Sequence, residues 1–366
     1  MSFKPSPFPK RPSVTADMLK KDVGYRGRVS FENSVANVRD FERSGLRDIN
    51  LAEKFNFISP QPQIAIFLST YEGQNYLADQ LDSILNQKYS KWKIYARDDC
   101  STDNTFSILQ RFHKTHLSKI DIKSNQKNSG FISNFLSMVC DQTIQADLYA
   151  YADQDDVWEE DKLQRAVEWI SKIPKERPAL YCSRTITVNQ DNVEEGFSPL
   201  FSKKPSFANA IVQSIGGGNT MVFNKAARDL IAAVGADVKI ASHDWWSYIL
   251  VSGCGGKVFY DPHPSIRYRQ HSDNFIGTNN SLFARLNRIR MLFQDRFKKW
   301  NQDHIDSLSK ISHRLTDENL KILDDFTQAR DGALPQRLLQ LKKSNVYRQT
   351  LLGNIGLVAA CILKKL

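Results

Sequence analysis

Four apolar runs, separated by amphipathic stretches, constrain this chain more than any other feature. Residues 63–70 form a near-continuous apolar run, the mark of a strand buried on both faces. Leu77, Leu81, Ile84 and Leu85 then recur at helical spacing. Residues 92–96 read as a second strand that ends at Asp98-Asp99, and the capping side chains of residues 101–105 open a helix through Phe112. Ile120 and Ile122 alternate in a third strand. A turn at residues 128–130 leads to a helix carrying Phe131, Phe135 and Met138, and residues 148–152 make a fourth strand. This alternation predicts a parallel, doubly wound α/β sheet flanked by helices. Ligands of such sheets bind beyond the carboxyl ends of the strands.

Three polar clusters fall at those ends: Thr70-Tyr71-Glu72, Asp98-Asp99 and the knot Asp153-Gln154-Asp155-Asp156. Three like charges within four residues repel one another and cost stability unless a cation compensates. Hard oxygen ligands of this kind suit Mg²⁺ or Mn²⁺, which also bind phosphate oxygens. The alternative for the knot is an acidic turn capping the helix that starts near Glu159. Further on, a Gly216-Gly217-Gly218-Asn219 turn enters a strand from Thr220, and His243-Asp244-Trp245-Trp246 opens a helix. Lys257 to Tyr260 reads as a short strand, and Tyr268-Arg269-Gln270-His271 follows Pro262 and Pro264.

With 366 residues, three regions are expected: an irregular extension over 1–60, a catalytic domain over 61–280 and a helical region over 281–366. The net charge of +10 favours contact with phosphates or anionic surfaces. Five widely spaced cysteines, none in a C-x-x-C pair, read as reduced thiols and not as a disulfide framework or zinc site. Residues 1–13, rich in proline and lysine, do not read as a signal peptide. A basic amphipathic stretch covers residues 282–299, with Arg285, Arg288, Arg290, Arg296, Lys298 and Lys299 among Leu282, Phe283, Leu286, Ile289, Leu292 and Phe293, and an apolar run covers 351–363. That run is shorter than the ~18 residues a spanning helix needs. An anionic membrane surface or a homodimer contact is expected there.

The motifs, taken together and in order, resemble glycosyltransferase family 2. They are residues 66–73, 80–87, 98–105, 127–131 and 153–158. The knot, residues 243–246 and residues 268–271 are similar to the rhamnosyltransferase-like branch of bacterial surface-polysaccharide enzymes. The resemblance implies the Rossmann-like GT-A fold and a metal-dependent, inverting transfer. The donor would be a UDP- or dTDP-sugar, rhamnose among the candidates. The acceptor would be a saccharide or lipid-linked saccharide of O-antigen or capsule synthesis.

By the same resemblance, Thr70, Tyr71 and Glu72 would border the base, and Asp99 would accept a pyrimidine N3–H. Asn128 and Gly130 would lie by the ribose and diphosphate, with Arg269 near the phosphates. Asp153 would contact the ribose or the metal, Asp155 would bind Mn²⁺ or Mg²⁺ directly, and His271 could add a nitrogen ligand. Asp244 would be the base, although His243 stands where the family more often has Glu. Asp156, Gly217, Gly218 and Trp245 would line the acceptor side. Such an enzyme works in the cytoplasm or on the cytoplasmic face of the inner membrane.

The rivals are a sugar nucleotidyltransferase and a non-catalytic nucleic-acid- or partner-binding protein. The first normally carries a glycine-rich basic loop after its first strand, which Thr70-Tyr71-Glu72-Gly73 is not. Nucleic acid is not expected as a partner, because the basic C-terminal third contains no recognition module.

Overall fold

The computed structural model describes residues 58–59, 61–270 and 295–366, all within one compact unit, Ala52–Leu366. His271, most of the basic stretch 282–299 and nearly all of the expected 1–60 extension lie outside the described residues.

The first half follows the predicted alternation: β1 (Ile64–Thr70), α1 (Leu77–Leu85), β2 (Trp92–Asp98), α2 (Thr105–Thr115), β3 (Ile120–Ser124), α3 (Phe131–Cys140) and β4 (Leu148–Ala152). β1 lies between β2 and β4, with Ile64 opposite Trp92 on one side and Leu148 on the other, and all these pairs are parallel. Side chains alternate across a strand, which explains the apolar run. Ile64, Ile66 and Leu68 pack with Leu81, Ile84, Leu109 and Leu163 on one face. Ala65 and Phe67 pack with Phe135, Tyr149 and Trp246 on the other.

The second half is mixed. It comprises β5 (Val157–Trp158), α4 (Lys162–Ile170), β6 (Ala179–Val188), β7 (Glu194–Phe197), α5 (Phe207–Ala210), a 3₁₀ turn (Gly218–Thr220), β8 (Val222–Asn224), α6 (Lys225–Ala232), α7 (His243–Gly253) and β9 (Lys257–Arg269). The strand order is β3-β2-β1-β4-β8-β6-β9-β5, with β7 on β6. β8 runs antiparallel to both β4 and β6, and β5 antiparallel to β9.

This order dictates the shape of the sheet. β4 and β5 stand four places apart, about 19 Å in a flat sheet. Yet only residues 153–156 connect them, and even fully extended the chain from Ala152 to Val157 reaches roughly 17 Å. The sheet must curl, and the acidic knot closes the curl.

Four further helices follow, α8 (Arg296–Ser309), α9 (Asp317–Gln328), α10 (Leu334–Lys343) and α11 (Leu351–Ile362). They share a core with the sheet: Leu308, Phe326, Leu341 and Leu357 belong to the same buried cluster as Trp246 and Phe223.

Candidate active site

The loop after β1 is tied to two neighbours. Thr70 is buried, and its hydroxyl donates to Asp98 Oδ1 at 3.0 Å. Glu72 has a left-handed backbone, φ 49°, and its Oε1 accepts from the Thr102 N–H (2.7 Å) and hydroxyl (2.9 Å). Tyr71 keeps an exposed ring, while its peptide groups pair twice with the Gln154 amide, N–H to Oε1 and Nε2 to carbonyl, each at 2.8 Å. This clamp requires Gly73, where a Cβ would stand 2.1 Å from Gln154 Oε1.

Asp99 is buried, and its oxygens accept from Asn125 Nδ2 (2.7 Å), the Ser129 hydroxyl (2.8 Å) and the backbone N–H groups of Ser129 (3.0 Å) and Gly130 (2.8 Å). Burial pushes its pKa up, but the donors at Ser129, Asn125 and Gly130 outweigh that and hold it below the usual value. Through these bonds the carboxylate anchors the turn carrying Asn128 and Gly130. Gly130 opens α3 at φ 81°, a conformation that favours glycine. Its N–H also reaches Asn128 Oδ1 at 3.1 Å.

Asp153 is half-buried; burial, then the fields of Asp155 and Asp244, push its pKa up to about 8. Asp156 is fully buried and accepts from Asn219 Nδ2 at 2.5 Å and from the Arg269 backbone N–H. Burial and then Asp155 and Asp153 hold it well above the carboxylate range. Its Oδ1 has no hydrogen-bond partner among the described residues. Asp156, expected on the acceptor side, is buried and joins the knot to the Gly218–Thr220 turn through Asn219. Beneath it, the buried Lys162 ammonium sits 4.0 Å over the Trp158 ring. Burial lowers its pKa to about 7 against the opposing field of Asp156.

Arg269 is buried, with Nε donating to the Asp155 carbonyl (3.0 Å), Nη1 to the Gln190 carbonyl (2.5 Å) and Nη2 to Asp79 (2.9 Å). Its guanidinium thereby ties the knot to α1 and to the segment after β6. Its neighbour Tyr268 took no role in the sequence reading, yet it turns to the opposite face of β9. Burial and then the fields of Asp156, Asp153, Asp155 and Asp244 raise its hydroxyl pKa. The signal was available: along a strand, a residue facing inward leaves its neighbour facing the other way.

Asp244 lies in the first turn of α7. Its Oδ2 accepts from the Gly218 N–H at 3.1 Å and its Oδ1 from the Trp245 N–H at 2.7 Å. Gly218 must be small, because a Cβ would come 2.5 Å from His243 Nε2; at Gly217 one would come 2.6 Å from Asn219 Oδ1. His243 is buried, stacked on Phe135 at 4.1 Å and edge-on to Tyr151 at 4.6 Å. Burial lowers its pKa to about 4. Trp245, expected to stack on an acceptor sugar, is corrected to core. It packs on Trp300 and His304, and its indole N–H donates to the Ala210 carbonyl at 2.6 Å.

The structure therefore sets Asp155 and Asp244 close enough to act on Asp153, and all three on Tyr268, while Asp99, Asp156, Arg269 and Trp245 are buried. Among the described residues, no three His, Cys, Asp or Glu side chains gather as a metal cage. The donor set still fits a hard divalent cation. Mg²⁺-type ions bind through one or two carboxylates and take the rest from substrate phosphates and water, and Asp153 and Asp155 are two carboxylates whose repulsion a cation relieves.

Carboxylates that crowd the end of a parallel half-sheet, opposite another delivered by a separate helix, put the molecule among enzymes that transfer groups from phosphorylated donors. More closely, the chain belongs to glycosyl transferase family 2: the family profile of that description matches residues 65–245, from β1 to the start of α7. It is a glycosyltransferase, built on a curled mixed α/β sheet flanked by helices. The chain is similar to the dTDP-rhamnosyl transferase RfbG of Shigella flexneri, 28% identical over 261 residues, or 69% of this chain and 86% of that one. It is also similar to the UDP-Glc:alpha-D-GlcNAc-diphosphoundecaprenol beta-1,3-glucosyltransferase WfgD of Escherichia coli, 24% identical over 110 residues, or 30% of this chain and 41% of that one. Among solved structures, S. aureus TarS 1-349 in complex with UDP-GlcNAc aligns with a TM-score of 0.47 at 13% identity, over 77% of this chain and 90% of that one.

Proposed function

We propose that the protein transfers a sugar, with rhamnose from dTDP-rhamnose as the first candidate, to a saccharide or lipid-linked saccharide in bacterial polysaccharide synthesis, with inversion. The donor rests on the likeness to RfbG, and the lipid-linked acceptor on the likeness to WfgD. The observation that carries the reading is that the fields of Asp155 and Asp244, from separate elements, meet at Asp153. This nearness supports assigning the loop after β4 and the start of α7 to one site, with Asp155 on the donor side and Asp244 on the acceptor side.

Asp153 and Asp155 would hold Mn²⁺ or Mg²⁺, which when bound offsets the charge of the departing nucleoside diphosphate. Tyr71 and the Asn128–Gly130 turn border the nucleotide. Asp244, aimed by the Gly218 and Trp245 N–H groups, takes the proton from the acceptor hydroxyl. The acceptor oxygen bonds to the anomeric carbon from the face opposite the diphosphate. The bond from that carbon to the phosphate oxygen breaks, and its electron pair leaves with the nucleotide. Gly217 and Gly218 leave room for the acceptor ring.

The test is a product assay with dTDP-rhamnose and UDP-sugars, with and without chelator. Release of nucleoside diphosphate that stops with chelator and returns with Mn²⁺ is expected. Release of pyrophosphate, or indifference to chelator, refutes the reading.

A further inference from the structure

The outer face of α11 has no counterpart elsewhere in the described chain. Leu351, Ile355, Val358 and Ile362 recur at helical spacing, with Leu352 and Leu363 flanking them. They are exposed, Leu351 by 77%, Leu352 by 70% and Ile355 by 57%. Leu357, Ala360 and Cys361 occupy the opposite side and are buried in the protein core. The helix is amphipathic in an inverted sense: one apolar face enters the core and a second faces outward, with no charged residue between Leu351 and Ile362. A contiguous exposed patch of this kind marks an interaction surface.

Charge identifies its partner. Residues 332–366 contain Arg337, Lys342, Lys343, Arg348, Lys364 and Lys365 and no acidic residue at all. Lys342, Lys343 and Lys364 are exposed. Lys365 meets an acidic partner, Asp295 at 2.7 Å, and a second copy docked about a two-fold axis would bring like charges against one another. An anionic lipid surface neutralises them and receives the leucines. No described helix is long and apolar enough to cross a membrane. At 12 residues, α11 extends about 18 Å, short of the ~30 Å hydrocarbon core. It can lie in the interface but not span it.

We propose that the outward face of α11 seats the protein on an anionic phospholipid bilayer, with Leu351, Leu352, Ile355, Val358, Ile362 and Leu363 inserted below the headgroups and the lysines among them. This goes beyond the transfer reaction, and vesicle binding is read without any sugar donor, so the two can fail separately.

The experiment is co-sedimentation of the full chain with vesicles of phosphatidylcholine alone or mixed with phosphatidylglycerol. The variants are Leu352→Glu with Ile355→Glu, and Val193→Glu as a control at an exposed apolar residue elsewhere. Circular dichroism checks that each is folded. Binding to the anionic vesicles only, weakened by salt, is expected. The double variant should bind at least about tenfold more weakly, because two inserted apolar side chains are lost, and the control should bind normally. Undiminished binding by the double variant, equal binding to neutral vesicles, or a dimer in light scattering that the double variant abolishes would each overturn the proposal.

Discussion

Asp98 and Asp99 at the end of β2, and Asp153 to Asp156 after β4, are neighbouring acidic clusters built in opposite ways. Around the first pair the chain supplies donors: Thr70, Ser101 and Ser124 for Asp98, and Asn125, Ser129 and Gly130 for Asp99. Around the second, carboxylates face carboxylates, one oxygen of Asp156 is left over, and both Asp153 and Asp156 hold protons far more tightly than an ordinary aspartate. One cluster is finished by the fold and acts as scaffold. The other leaves Asp153 and Asp156 in Asp155's repulsive field, and Asp156 in that of Asp153 as well, a perturbation of the kind that clusters at ligand sites.

The contrast can be broken in several ways. Asp244→Asn should lower transfer by roughly a thousandfold, the range of a lost general base, with donor affinity in calorimetry unchanged. A matching loss of affinity would move Asp244 to the donor side and dissolve the division between the clusters. Asp99→Asn should cost about 2–3 kcal/mol in denaturant unfolding, because buried N–H donors lose a charged acceptor. Asp153→Asn should leave the metal-free protein as stable or more stable while transfer falls. If the two variants unfold alike, the clusters do not differ as described.

Mn²⁺ with dTDP or UDP should stabilise the wild type by about 2.7 kcal/mol at a hundredfold excess over Kd. Thermal shift should show little of this in Asp155→Asn. The smallest effect concerns pH. His243 and His304 both fall to about 4 through burial, below the ordinary 6.5, so the unfolded chain binds their protons more tightly. The associated stability is present above pH 6.5 and is lost as pH falls through about 4. His243→Gln should flatten this acid limb by something on the order of 2 kcal/mol, read from unfolding curves across that window.

The first half of the fold was legible because β1 and β4 are buried on both faces, β2 alternates, and the helices carry a single stripe, as at Leu77, Leu81 and Ile84. The second half was less so. β5 is two residues long and β7 is polar and largely exposed. β9 runs for 13 residues, but Pro262 and Pro264 argue against a continuous strand. They are tolerated because the β6–β9 register shifts around Arg184. At the site, the clustering of acids at strand ends could be read, since spacing along the chain sets it. Which carboxylates open to a cleft could not. That depends on donors remote in sequence, such as Ser129 for Asp99 and Asn219 for Asp156. The same holds for Arg269, whose ionic partner Asp79 lies 190 residues away, and for Trp245, covered by α8.

The paired bonds between Gln154 and the Tyr71 peptide have a practical corollary. They fasten the segment after β1 to the segment after β4, so neither is an independent module. Chimeras that import a relative's 71–74 segment to change nucleotide preference will misfit unless position 154 travels with it, and a Gly73 swap alone would pry the pair apart. Anyone re-engineering this enzyme inherits the two segments as one cassette.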